Sequence, residues 1–324
     1  MKKTFLLAWL CASLGWSQPL LNFPGGQPER VQQTFVSSGV QGLADQGNWR
    51  ELEAVLDGYL QKRVHLEDSS SALALAYESC HTKDSFLEQW IQARPNSVHA
   101  HVARAYAYAY RAWEARGTDI KAAREADFVK NLTLGEQECQ SALKLGGDQN
   151  PALYGIWLSL GRGAGYSPQR QKELWLKAVE LDPYFLNAYC EYSRGLVPRW
   201  GGSQQALDQM LLEAQRKTQK GLGSDGAYAL VCSYLLDHLA FVREEVRLDL
   251  PRCYRGFDEL ERRFPSSYRF GHYHLRVCQL AMDMSEVKKM LARLGSSYVH
   301  SEANSPRGVI EPPATPNTRR QPAP

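Results

Sequence analysis

Ser141-Ala142-Leu143-Lys144 and Ser285-Glu286-Val287-Lys288 both carry the spacing of a serine acylation motif, in which the lysine would relieve the attacking hydroxyl of its proton. Two hits in one chain, with no SDN or KTG partner, argue against that chemistry, and Ser285 reads better as a helix cap. His99 with His101, and His272 with His274, would share a metal if they lay on a strand. On a helix, residues two apart point to different sides, and no HExxH or His pair at a spacing of four is present. Cys80 and His81, adjacent in sequence, likewise diverge, which weakens a thiol-protease reading. Gly161-Arg162-Gly163-Ala164-Gly165 has the glycines of a phosphate loop, but neither the Rossmann spacing nor a GKS/T ending, and no strand precedes it. It reads as an interhelical turn. No metal set and no cofactor motif is expected.

Aromatic and basic side chains remain. Among the 16 Tyr, those at 106, 108, 110, 154, 189 and 192 fall on helical segments, as does Trp113. Most belong in a core, since stacked hairpins bury large rings between layers. Arg104, Tyr108, Arg111 and Arg162 are the candidates for an exposed concave groove, being of the types that dominate binding hot spots. Glu114 and Glu191 lie beside aromatic positions and are the carboxylates that a glycan-cleaving enzyme would use.

The elements that must position these residues repeat. Leu87, Trp90 and Pro95 have the same offsets as Trp175, Ala178 and Pro183, and as Phe257, Leu260 and Pro265. In each case apolar residues one turn apart face a preceding helix, and proline then ends the segment. The pattern predicts an all-α stack of antiparallel helical hairpins, an α-solenoid of about fourteen helices over residues 29–296. One of these is expected to run unbroken from Ala227 to about Arg247.

The chain opens Met1-Lys2-Lys3, followed by apolar residues to Trp16 and small ones at Ser13, Gly15 and Ser17. That is the layout of a secretory signal over residues 1–17. A loose linker at 18–28 and a disordered proline-rich tail at 297–324 flank the helices. The predicted product is exported, periplasmic or secreted, with no stable membrane insertion after signal cleavage. Lys and Arg total 38 against 35 Asp and Glu, and losing Lys2 and Lys3 brings the mature chain close to neutrality, so nucleic acid is excluded as a partner. Cys80, Cys139, Cys190, Cys232, Cys253 and Cys278 fit no CxxC or zinc spacing. Disulfides and buried thiols are both open, and any bridge is expected among Cys232, Cys253 and Cys278.

The helix, turn, proline, helix pattern resembles the tetratricopeptide repeat. Trp113-Glu114-Ala115-Arg116-Gly117, Arg199-Trp200-Gly201-Gly202-Ser203 and Asp258 to Pro265 resemble, more closely, a bacterial TPR-like domain family of unknown function. That resemblance implies the fold and carries over no catalytic residue. The expected function is a non-enzymatic scaffold holding a protein or peptide on its concave face, with action on cell-envelope glycan as the alternative.

Overall fold

The computed structural model describes residues 33–66, 68–80, 84–117, 124–239, 242–265, 267 and 269–295. The expected signal, the linker and the proline-rich tail lie outside the described residues. Fifteen α-helices and no strand are found among those described. They are α1 (Gln33–Asp45), α2 (Trp49–Lys62), α3 (Ala72–Glu78), α4 (Asp84–Ala93), α5 (Val98–Arg116), α6 (Glu125–Lys144), α7 (Pro151–Gly163) and α8 (Pro168–Leu181). There follow α9 (Leu186–Gly195), α10 (Gln204–Leu222), α11 (Gly226–His238), α12 (Val242–Glu245), α13 (Leu250–Arg263), α14 (Arg269–Leu280) and α15 (Met284–Leu294). The chain is therefore all-α, as expected.

Capping sets several of the boundaries. Ser97, Asn150, Ser167 and Ser203 each accept a backbone N–H from the first turn of the helix they precede, and Pro151 and Pro168 stand where the helix has no use for an N–H. The last helix is capped by Asp283, whose carboxylate accepts from Glu286 N at 3.1 Å. Ser285, expected to be the cap, lies inside the first turn instead. The expected long helix from Ala227 breaks after His238, where Leu239 turns extended (φ −124°, ψ 104°), and α12 follows. Leu239, Val242 and Val246 are all buried, so the chain keeps turning apolar side chains inward across the break. That split supplies the fifteenth helix.

Most helices pack on their neighbour in sequence, and a second set of contacts reaches further: α1 on α3, α3 on α5, α5 on α7, α7 on α9 and α9 on α11 skip one helix, and α11 on α14 skips two. These form a central row, with α2, α4, α6, α8, α10, α13 and α15 laid against it. Every residue of α7 from Pro151 to Arg162 is buried, and α11 is buried from Gly226 to Cys232. Helices apolar on all sides belong to an interior, so the middle of the row is enclosed.

The loop between α2 and α3 reaches across the row. Val64, His65, Leu66, Asp68 and Ser69 are buried in it. His65 Nε2 meets Asp182 Oδ2 at 2.9 Å, ahead of α9. Asp68 accepts from Arg269 Nη1 at 3.0 Å and from the Tyr273 hydroxyl at 3.2 Å, both on α14. This strap joins the first helices to the last at the end of the row where α3, α9 and α14 begin.

Candidate functional site

At the opposite end, the last turns of five central-row helices bring together Glu78 (α3), Trp113 (α5), Arg162 (α7), Glu191 with Arg194 (α9), and Tyr234 with His238 (α11). Arg162 reaches this place because α7 runs through Gly163. The glycine-rich stretch read as a turn is therefore helical up to that point, and only Ala164 and Gly165 leave the helix. Gly161 permits this, since a Cβ there would lie 2.6 Å from the Tyr166 ring. Trp200 is delivered by the 3₁₀ turn Pro198–Trp200, followed by Gly201 at φ +82°. A side chain on Gly202 would run into the Leu196 carbonyl, which explains the Gly-Gly pair.

Arg162 is 2% exposed. Its guanidinium lies 4.1 Å from the Trp113 ring centroid and 5.2 Å from that of Trp200, and the two indoles meet edge to face. Nη2 pairs with Glu191 Oε2 at 3.0 Å. Arg194 Nη1 stands 3.6 Å from the other Glu191 oxygen and donates to the Tyr234 hydroxyl at 3.2 Å. That hydroxyl in turn donates to Glu191. Trp113 Nε1 donates to Ser159 Oγ at 3.0 Å, and the His238 ring stacks on Tyr234 at 4.2 Å. Asn187 Nδ2 donates to Glu78 at 3.5 Å and ties the cluster to α3.

The two carboxylates behave oppositely. Burial alone would raise Glu191, but Arg194 and Arg162, with the Tyr234 hydrogen bond, outweigh it and hold the carboxyl at about 2. Burial, then the charge of Glu191, pushes Glu78 up to about 7. Burial and the neighbouring Arg194 bring Arg162 down to about 10. Both arginines sit in final helical turns, where the carbonyl end of the helix dipole favours a cation.

The other residues singled out by sequence go elsewhere. Arg104 pairs with Glu138 of α6 at 2.5 Å, and Tyr108 approaches Gly135 on the same helix, with Arg111 over its ring at 5.2 Å. These three share the α6-facing side of α5 and leave Arg162 as the candidate inside the cluster. Glu114 is exposed. His99 contacts Tyr77 and Asp57, while His101 contacts Glu138 and the Pro95 carbonyl, so the pair diverges. Asp258, Glu261 and His274 bring their donor atoms together, but the Arg293 guanidinium fills the centre, at 3.0, 2.7 and 3.3 Å from the three. Burial and Arg293 hold His274 down at about 4, neutral toward that guanidinium. The cation of this cluster is an arginine.

Cys232, Cys253 and Cys278 come from α11, α13 and α14, which pack on one another, and all three are free thiols. Burial raises Cys253, and raises Cys278 to about 11, away from the thiolate. Sequence reasoning passed over Glu78, Arg194, Tyr234 and His238. Their common signal is position in the last turn of a central-row helix, which depends on knowing which helices form the row. No helix among the described residues is long and apolar enough to cross a membrane. Comparison with family models, curated proteins and solved structures gives no match for this chain.

Proposed function

We propose that the chain is an exported, non-enzymatic helical-repeat module, a TPR-like solenoid that binds a protein or peptide at the end of its central row. What supports this is the convergence of Trp113, Trp200, Tyr234, Arg162 and Arg194 on one place, reached from four α-helices and a 3₁₀ turn. These are the residue types that carry binding energy when partly desolvated. The enclosed middle of the row disfavours a peptide lying along a groove and favours a segment presented end-on. The test is a photo-crosslinking amino acid at position 234, in the full chain in its native cells, beside a control at exposed Glu173. A discrete protein adduct from position 234 alone, lost on Arg162→Gln, is the expected result. Equal adduct patterns from both positions would remove the reading.

A second reading, action on envelope glycan, is favoured by one observation: neighbouring carboxyls held at about 7 and about 2 are the pairing an acid and a base would need. Release of soluble fragments from envelope glycan, abolished by Glu78→Gln, would establish it.

A further inference from the structure

Arg162 Nε, Arg162 Nη1, Arg194 Nε and Trp200 Nε1 are buried nitrogen donors without an acceptor in the protein. All four belong to the cluster at the end of the central row. A buried donor left unpaired forfeits its hydrogen bond to water with nothing in return, so four in one place are an expensive arrangement for packing alone. The helix dipoles steady the two cations, but a dipole end accepts no hydrogen bond from these N–H groups. The donor atoms are themselves covered, but the groups around them are not: the side chains of Glu191 and Arg194 keep 17% and 19% of their exposure, and Trp113 and Trp200 are partly exposed, so a ligand reaches the donors by displacing these side chains.

We propose that this cluster receives a single carboxylate carried on an apolar or aromatic body. The inference rests on the binding-module reading and names the group which that module recognises. Charge selects the carboxylate. Arg162 and Arg194 supply two positive charges and Glu191 one negative, while Glu78 is neutral below about pH 7. The surplus is one positive charge, which a monoanion cancels. A phosphate dianion would leave a net negative charge in a poorly solvated place. Arg162 Nε, Arg162 Nη1 and Arg194 Nε each offer a single N–H to a carboxylate oxygen, since Arg162 Nη2 is already paired with Glu191. The faces of Trp113, Trp200 and Tyr234 supply the wall against which an apolar body lies.

The carboxylate could come from a free organic acid or from the C-terminus of a peptide, and the test separates the two. Indole fluorescence and calorimetry on the full chain would be followed with N-acetyl-phenylalanine, its amide, inorganic phosphate, and a short peptide ending in phenylalanine as free acid or as amide. Saturable binding of an acid, at least tenfold tighter than its amide and than phosphate, is the expected result. Equal binding by N-acetyl-phenylalanine and the peptide acid identifies a free acid as sufficient. Saturation by the peptide acid alone identifies a C-terminus. Arg162→Gln, checked for folding by circular dichroism, should weaken the acid at least tenfold. Trp200→Phe keeps a ring but removes one donor and should weaken it about threefold, which covers the case in which the arginine variant fails to fold. Amide binding as tight as acid, tighter phosphate, or no response to any probe would each overturn the carboxylate. The crosslinking experiment at position 234 stands apart from these outcomes, so the module reading can survive that failure.

Discussion

Glu191 is held between two arginines where little water reaches it, and the consequence is a dependence of stability on pH with a definite sign. Its folded carboxyl titrates at about 2 rather than 4.5, so its contribution is complete above pH ~5 and is lost as pH falls toward 2. The shift corresponds to about 3 kcal/mol. Urea unfolding of the wild type and of Glu191→Gln across this range should show curves that converge in acid. At neutral pH the variant should be destabilised by about 3–5 kcal/mol, because two buried guanidinium groups lose their counter-charge. A constant gap between the curves from pH 7 to pH 2 would show that the ion pairs carry none of this. Residue types alone drew attention to Arg162 and Glu191, but not to their meeting, since a hydrophobic pattern does not say which polar residue of a last turn faces inward.

Asn150 shows how much one residue does between elements. Its Oδ1 accepts from Ala152 N at 3.0 Å to cap α7, and its Nδ2 donates to the Tyr77 hydroxyl on α3 at 2.9 Å. Asn150→Ala should cost about 2 kcal/mol, the sum of a cap and a buried hydrogen bond, read as a lowered urea midpoint. Asn150→Ser keeps a cap acceptor and loses the amide donor, so about half of the loss should return. A serine variant as unstable as the alanine one would mean that the cap contributes nothing. The cap residues and the prolines were legible because they act within a few residues of their own position. Legible too were the three proline-ended helices, since Leu87, Trp90, Trp175, Ala178, Phe257 and Leu260 are all buried. The break after His238 was not, because neither proline nor glycine marks it and Leu239, Val242 and Val246 keep the i, i+3, i+7 spacing of an unbroken helix.

Across the whole molecule, the first and last helices meet through the strap, a contact no local pattern could announce, because Asp68 finds its partners on α14 some two hundred positions later. Asp68→Ala leaves Arg269 without that carboxylate, and should accelerate amide exchange at least tenfold in residues 64–66 and in α14. The exchange of α7, buried on every side, should stay unchanged. Uniform acceleration throughout would instead make the strap part of one global unit. The same contact orders events in time. As the polypeptide elongates, α1 to α11 can pair with helices already made and His65 can meet Asp182, yet Asp68 has to wait for α14. Until then the Asp68 carboxylate lacks Arg269 and the Tyr273 hydroxyl. Closing so distant a pair also carries a larger entropic toll than docking adjacent helices. The chain should therefore pass through a late intermediate with its middle formed and its ends apart, and the strap should be the last piece to lock.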